Sequence, residues 1–269
     1  MKISKSKNEE TNTYKLLGQD IETVTQEKDI GVIIDSELTF ENHICEKVTK
    51  ATSIFAAMRR TFRYLDTKSF LVIYKTLVRT HLDYASSVWA PYKMKYSTCI
   101  EKIESVQKRV TKQFPGMKNL SYPERLEKIG LPTLAYRRLR GDMIEVYNII
   151  KGCYDREASS FLKLMNETGL RFSSRINSNK IVHQHVKSNK RKYAFTLRVS
   201  RRWNKLPQTY APDTVVNALT LNTFKNRRDR YWKNQDLYFN NYKSDIQWDC
   251  HVTSECLKVE SVESGEEDL

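Results

Sequence analysis

Clusters of lysine and arginine are the residues of this chain whose types and spacing point most directly to a chemistry. Several of them lie in predicted helices, and two clusters are interleaved with aromatic residues. Cationic side chains contact phosphate oxygens and aromatic rings stack on bases, so this composition is suited to nucleic acid. The candidate phosphate-binding residues are Lys108, Arg109, Lys112, Arg137, Arg138, Arg140, Lys190, Arg191, Lys192, Arg201 and Arg202.

The formal net charge of the 269 residues is +14, and it is distributed unevenly along the chain. Residues 170–233 contain sixteen Lys or Arg and two acids, a net charge of +14, whereas residues 234–269 contain two lysines and nine acids, a net charge of −7. Residues 1–169 carry the remaining +7. A segment as basic as 170–233 attracts polyanions, nucleic acid above all.

Two amphipathic helices with a short connection should position the first cluster, lie antiparallel and share one apolar seam. Thr67 is expected to cap the first helix, and Pro91 should end it by biasing Ala90 away from helical angles. The apolar stripes consist of Phe70, Leu71, Tyr74, Leu77, Val78, Leu82 and Ala85 in the first helix and Tyr96, Ile100, Ile103, Val106 and Val110 in the second.

Three more helices surround this pair. The first is expected to run from a Thr39 cap to about Phe62, which gives a bundle of at least three helices. Ser121, three residues before a glutamate, has the spacing of a capping box. The helix after it should end at Gly130, and the last helix runs from Leu134 to Gly152. Residues 153–182 lack a helical repeat and predict loops with one short helix around residues 161–165.

Two sets of arginines in these helices have alternative roles. Arg59 and Arg60 end a helix, where they either complement the helix dipole or contact phosphates. Arg137, Arg138 and Arg140 either pair with carboxylates of the bundle or contact phosphates.

The front of the chain has the pattern of strands. Residues 14–24 alternate around a Gly-Gln-Asp turn and predict a short hairpin. Residues 30–35 form a β-branched run that predicts a buried strand, in which Gly31 indicates a bulge or a close backbone approach. Asp35 after this run is expected to be a turn or cap residue rather than a metal ligand.

Many of these segments together resemble the C-terminal part of a non-LTR (LINE-type, jockey/CR1-like) retrotransposon reverse transcriptase. The resemblance covers roughly residues 14–233 and begins at the last hairpin of the polymerase palm. The segments that carry it are Lys28–Asp35, Phe70–Arg79, Leu82–Ala85, Val88–Pro91, Glu101–Arg109, the Tyr-x-Glu-Arg-Leu from Tyr122, the Leu-Pro-x-Leu from Leu131, the Arg-Arg-Leu-Arg-Gly-Asp-Met from Arg137, and Arg201–Pro207.

The resemblance implies a mainly α fold with a short N-terminal β-hairpin. The expected divisions are a disordered N-terminus (1–13), a residual palm hairpin (14–40), a helical thumb-like bundle (41–152), a basic, partly irregular C-terminal module (153–233) and an acidic flexible tail (234–269).

The resemblance also bears on catalysis, because polymerases of this family hold two Mg²⁺ ions with an Asp-Asp pair and a third aspartate. No Asp-Asp pair occurs in the chain. We therefore expect no catalytic residue, no cofactor and no polymerase activity by the chain alone, with Mg²⁺ needed only if a separate catalytic half is supplied.

The cysteines do not predict a metal site or a disulfide framework. Cys250, His251 and Cys256 lack a Cys-x2-Cys spacing, so no zinc site is expected. The remaining cysteines are expected to be small buried residues; they are Cys45, Cys99 and Cys153. With an odd number of cysteines, no apolar signal core and no apolar run long enough for a bilayer, the chain is expected to be intracellular, nuclear or cytoplasmic, and not bound to a membrane.

Three functions remain open from the sequence. The first is binding of RNA, DNA or an RNA–DNA hybrid through the backbone, without sequence preference. The second is a helical protein-interaction module or a non-functional relic. The third is the C-terminal part of an active RNA-directed DNA polymerase whose catalytic half is missing from this gene model.

Overall fold

The computed structural model is mainly α-helical with two small β-hairpins at its N-terminal side, which confirms the predicted fold class. The predictions for most of residues 1–13, for Tyr96 and for residues 244–269 lie outside the described part of the chain. The structure describes residues 1, 3, 14–62, 64, 66–91, 97–155, 157, 160–168, 180–186, 189–192, 194–206, 215–216, 218–232 and 235–243.

The first hairpin pairs β1 (Lys15–Leu16) with β2 (Gln19–Asp20) in antiparallel register, with Lys15 opposite Asp20. This confirms the short hairpin predicted for residues 14–24. The turn lies at Leu17 and Gly18, one residue earlier than the Gly-Gln-Asp pattern indicated, because both of these residues have positive φ.

The second hairpin pairs β3 (Gln26–Asp29) with β4 (Val32–Asp35). Ile30 and Gly31 form its two-residue turn, with φ values of 42° and 77°. The strand predicted over residues 30–35 therefore begins at Val32, and the glycine serves the turn rather than a bulge, since positive φ is favourable for glycine. The Tyr84 hydroxyl donates to the Ile30 carbonyl at 2.8 Å and so ties this turn to the helices.

Asp35 is a turn and cap residue, as predicted. Its carboxylate accepts the backbone N–H groups of Glu37 at 3.0 Å, Thr39 at 3.0 Å and Phe40 at 2.7 Å, and the Thr39 hydroxyl at 3.0 Å. Burial raises the pKa of this carboxyl, but the hydrogen bonds outweigh burial and hold the pKa below its ordinary value.

The first helix, α1 (Glu41–Thr61), follows directly, and its N-cap is Phe40 rather than the predicted Thr39. Phe40 lies in the left-handed region with φ 57° and has no side-chain oxygen to offer. The Thr39 hydroxyl accepts the Glu41 N–H at a long 3.4 Å. The cap therefore depends on a turn organised by Asp35.

The helix predicted to run to Pro91 is broken into parts. It begins at α2 (Thr67–Ile73) and continues through one π-helical turn (Tyr74–Val78) into α3 (Arg79–Asp83). Its N-cap is Asp66, not Thr67, because the Asp66 carboxylate accepts the N–H groups of residues 68 and 69 at 3.0 and 3.2 Å.

The helix ends at Tyr84, and Ala85 separates it from the single turn α4 (Ser86–Trp89). Ala85 has φ 50°, which ends helical hydrogen bonding, and the Trp89 indole N–H donates to the Tyr84 carbonyl at 2.7 Å. Ala90 is extended with ψ 123°, so the predicted effect of Pro91 is confirmed.

Three longer helices agree with the sequence. They are α5 (Ser97–Thr111), α6 (Tyr122–Ile129) and α7 (Leu134–Ile150). Ser121 and Glu124 make the predicted reciprocal capping box of α6, which ends at Gly130 in the left-handed region.

The C-terminal elements are shorter. A 3₁₀ turn at Met165–Thr168 stands where a short helix around residues 161–165 was predicted. Part of the segment predicted to be a flexible tail forms a helix that packs on α6 and α7, and the Thr133 N–H donates to the Tyr238 carbonyl at 2.9 Å. The remaining helices are α8 (Asn189–Lys192), α9 (Phe195–Asn204), α10 (Leu221–Trp232) and α11 (Asp236–Phe239).

The buried apolar residues form two clusters, and α7 belongs to both. The first cluster joins β4 with α1 to α6 and ends at Leu134. The second begins at Tyr136 and joins the rest of α7 with α9, α10 and α11. Among the cysteines predicted to be buried, Cys99 is buried and Cys45 is half-buried, but Cys153 is exposed because it follows the end of α7. In the described residues, no helix is long and apolar enough to span a bilayer.

A fully buried ion pair joins the two clusters. The Arg198 guanidinium donates to both carboxylate oxygens of Asp142 at 3.0 Å and to the Ser87 carbonyl at 2.7 Å. The side chains of Asp142 and Arg198 are each 2% exposed. This contact fixes α9 against α7 and α4.

Breaking this pair should destabilise the fold strongly. Asp142→Ala leaves the Arg198 guanidinium buried without its carboxylate, and we expect a loss of about 3–5 kcal/mol in the free energy of unfolding, measured by urea denaturation. The matched control is Glu46→Ala, since Glu46 pairs with Lys28 on the surface and should cost no more than about 1 kcal/mol. Equal losses for the two variants would contradict the assigned role.

The second prediction concerns His43, which is buried and accepts the Ile33 N–H through Nδ1 at 3.2 Å. Burial, assisted by Lys47, lowers the pKa of His43 from 6.5 to about 4. The folded state therefore binds a proton at His43 less readily than the unfolded state does. As a result, the free energy of unfolding has its full value above pH 6.5 and decreases as the pH falls towards 4.

His43→Asn retains an acceptor but does not titrate. Between pH 7 and pH 5 the free energy of unfolding of the unmodified protein should fall by roughly 1 kcal/mol more than that of the variant, after allowance for solvent relaxation. Urea denaturation at both pH values measures the difference. Parallel pH profiles of the two proteins would show that His43 does not cause the loss of stability at low pH.

Candidate nucleic-acid interface

The arginines of α7 make internal ion pairs. Arg137 donates to Asp83 through Nε at 3.1 Å and Nη2 at 2.8 Å. Arg140 donates to Asp229 through Nε at 3.0 Å and Nη2 at 2.7 Å. The sequence left open whether these arginines pair with carboxylates or contact phosphates. In the structure, Arg137 and Arg140 both pair with carboxylates.

Arg138 is buried and faces a buried carboxylate. Its guanidinium interacts electrostatically with Glu104, which also accepts the Tyr122 hydroxyl at 2.5 Å and the Leu134 N–H at 3.1 Å. Burial raises the pKa of the Glu104 carboxyl, and these contacts oppose the rise. At 5% exposure Arg138 offers little surface to a phosphate.

The candidates of the C-terminal module are also engaged with the protein. Lys190 donates to the Ser36 carbonyl at 2.7 Å and to Glu37 at 3.1 Å. Arg191 donates to Gln184 at 2.9 Å, and Arg201 donates to His183 at 3.1 Å. The last two are exposed and retain free N–H groups, Arg202 is half-buried, and the side chain of Lys192 lies outside the described residues.

The cluster on α5 differs from the others. Lys108 is half-buried, donates to the Tyr242 hydroxyl at 3.0 Å and lies 4.4 Å from the centre of that ring. Arg109 and Lys112 are exposed, and within the described chain their side chains make no hydrogen bond or ion pair. Arg109 and Lys112 are therefore exposed candidates whose charge has no partner in the described chain.

The helix packing brings other cations to the same place. Lys102 near the start of α5 donates to Cys45 near the start of α1 at 3.4 Å, so the two helices run side by side in the same direction. The ring of Phe70 in the first turn of α2 lies 4.5 Å from the ring of Phe114 just after α5. The C-terminal ends of α1 and α5 therefore meet the N-terminal end of α2.

This corner of the bundle is rich in exposed positive charge, and we call it the basic end. Its side chains make no hydrogen bond or ion pair with any residue that the structure describes. It consists of Arg59, Arg60, Lys68, Arg109, Lys112 and Lys118.

The two sequence intervals that supply the basic end contain few acids. Asp66 is the single acid in residues 47–82, and its carboxylate caps α2. Residues 105–123 contain no acid at all. Lys68 and Lys118 are not among the candidates predicted from the sequence, and these two acid-poor intervals are the signal that could have identified them.

Two exposed aromatic side chains accompany these cations. Phe62 and Tyr64 lie in the connection between α1 and α2, and they are 43% and 96% exposed. Exposed rings beside unpaired cations provide stacking surfaces for bases next to contacts for phosphates. Exposed cations and exposed rings thus occur together in this part of the bundle.

A cleft of about 690 Å³ lies elsewhere, where α4, α7 and α9 meet the loop before α1. Its wall is mainly apolar and includes Trp89, Phe161 and Phe195, with Lys190 at one side. At the edge of this cleft Lys190 donates to the Ser36 carbonyl and to the Glu37 carboxylate.

Comparisons with known proteins give little guidance. No family model and no solved structure matches the chain. An uncharacterized protein of Caenorhabditis elegans, B0403.1, is 24% identical over 135 residues, which are 50% of this chain and 68% of that protein. The function has to be argued from the side chains.

Potential metal ligands do not cluster in the described part of the chain. In the described ranges, no three His, Cys, Asp or Glu side chains are placed so that they could hold a metal ion. Cys250, His251 and Cys256 lie outside those ranges.

Replacing an internally paired arginine should lower the free energy of unfolding more than replacing an exposed, unpaired one. Arg137→Gln removes a two-pronged contact to a half-buried carboxylate, and we expect a loss of about 1 kcal/mol in the free energy of unfolding. Arg109→Gln, at an exposed position without a partner, should change it by less than about 0.5 kcal/mol. Urea denaturation followed by circular dichroism measures both, and a larger loss for Arg109→Gln would contradict the assignment.

Proposed function

We propose that this chain derives from a non-LTR retrotransposon reverse transcriptase. In this proposal the chain binds nucleic acid by contacting the phosphates of the nucleic-acid backbone. The observation that carries the proposal is the basic end, with six exposed cations that have no partner in the described part of the protein. Charged side chains that folding does not use are available to neutralise phosphates.

The proposed partner is RNA, DNA or an RNA–DNA hybrid, bound without sequence preference. The cations are distributed over the ends of α1 and α5 and the start of α2, and no single helix presents them along one face. Phosphate contacts of this kind position a protein but carry no base information. Phe62 and Tyr64 would add stacking, which tolerates every base.

Polymerase activity is not part of the proposal for the chain alone. The sequence has no Asp-Asp pair with which to hold the two catalytic Mg²⁺ ions. The proposed function is thus the primer–template binding that the resemblance implies, without the polymerase reaction.

Salt dependence tests this proposal. Fluorescence anisotropy with labelled single-stranded RNA and with an RNA–DNA hybrid should show binding that weakens as salt is raised. Replacement of Lys68, Arg109, Lys112 and Lys118 by Gln should reduce the slope of log K against log salt by about 0.7 for each lost single-strand contact and about 0.9 for each duplex contact.

The matched control replaces Lys163 and Arg230 by Gln, because both are exposed cations on the C-terminal core. This control should retain the original slope to within one contact. An equal loss in both variants would overturn the assignment to the basic end. Absence of binding at low salt would overturn the proposed function and leave a protein-interaction module or a relic.

A further inference from the structure

The last described residues of the chain are anchored along α5, the helix that ends at the basic end. Helix α11 is held through Thr133, whose hydroxyl donates to the Leu237 carbonyl at 2.5 Å in the interior. Tyr242 lies under Lys108 of α5, and Lys243 forms an ion pair with Glu101 of the same helix. The chain therefore passes from this docked segment into residues 244–269 at the surface of α5.

Residues 244–269 are strongly acidic. They contain eight Asp or Glu and one lysine, a net charge of −7. The charge is opposite in sign to that of the basic end and similar in magnitude to its six cations. This complementarity identifies the basic end as the surface to which the segment is attracted.

The distances allow the contact. Helix α5 rises 1.5 Å per residue, so Thr111 at its end lies about 15 Å along the helix from Glu101. An extended chain covers about 3.3 Å per residue, and the twelve residues from Ser244 to Glu255 can span about 40 Å. The acids from Asp249 onward are therefore within reach of the basic end.

We propose that residues 244–269 bind the basic end within the same molecule and compete there with nucleic acid. This inference rests on the proposed function, since it assigns a regulator to the same surface. The acidic segment acts as a tethered substitute for the phosphate backbone. Nucleic acid has to displace it, so only a polyanion of higher charge density binds well.

The size of the effect follows from tethering. A segment held at an effective concentration of about 1 mM, with an intrinsic Kd of about 0.1 mM for the basic end, weakens a competing ligand about tenfold. The contact is ionic and exposed, so the effect should shrink as salt rises.

The first test uses the full chain and a full-length variant in which all eight acids of residues 244–269 are replaced, Asp by Asn and Glu by Gln. Anisotropy titrations with single-stranded RNA at low salt should give about tenfold tighter binding for the variant. A second variant with the order of residues 244–269 shuffled, and its charge retained, should bind like the original. Circular dichroism verifies that all three proteins are equally folded.

The outcomes separate the two proposals. Equal affinities of the original chain and the neutralised variant would overturn the competition and leave the proposed function intact. Absence of binding by both proteins would overturn the proposed function and the regulation with it. Tighter binding of both the neutralised and the shuffled variants would overturn a charge-based contact.

The second test observes the contact without nucleic acid. A carbodiimide couples a carboxylate to a lysine amine only when the two touch, and mass spectrometry then locates the bond. Residues 244–269 should couple to Lys68, Lys112 and Lys118 more than to Lys163, at low protein concentration and less at high salt. Coupling to all four lysines alike would overturn the inference.

Discussion

The apolar residues of helix α7 pack into two hydrophobic clusters. Several of its charged side chains lie beside oppositely charged groups inside the protein. Removing a charge from water is costly unless it is paired, so the partners on neighbouring helices are fixed in place. Arg137 pairs with Asp83, Arg140 with Asp229, and Asp142 with Arg198, while Arg138 interacts electrostatically with Glu104. The three ion pairs position α3, α9 and α10 around a single helix.

This arrangement divides the positive charges of the chain into two populations. Arg137, Arg140, Arg198 and Arg228 are structural, because each is paired with a carboxylate or a carbonyl of the fold, as Arg228 is with the Arg140 carbonyl at 3.0 Å. Cations at the ends of α1 and α5 have no such partner in the described chain. The high net charge of the protein is therefore not a measure of its binding surface, and the proposed function depends on the smaller, external population.

The sequence predicted the local structure well at several positions where a single residue decides it, although the predicted N-caps Thr39 and Thr67 were each displaced by one residue. Asp35, the Ser121 capping box, Pro91 and the stop at Gly152 were all identified, because each acts on backbone groups a few residues away. The break at Ala85 was missed, because it is stabilised by the Trp89 indole and not by a turn-forming residue. An apolar stripe with helical period continues across the break and hides it.

The arginine partners could not have been predicted in the same way. Arg137 and Asp83 are separated by 54 residues, and Arg198 and Asp142 by 56, so only the packed fold brings them together. The sequence shows where charge is placed but not whether it faces inward. The same limit applies to residues 235–243, whose docking depends on a contact with Thr133 more than 100 residues earlier.

Folding alone does not account for the basic end. Positive charge at a helix C-terminus complements the helix dipole, which explains Arg59, Arg60 and Arg109. Lys68 lies in the first turn of α2, where the dipole disfavours a cation, and Lys112 and Lys118 follow α5. Six like charges in one place repel one another, and no carboxylate of the described chain pairs with them. This repulsion is the physical reason for the proposal that an external or tethered polyanion binds there.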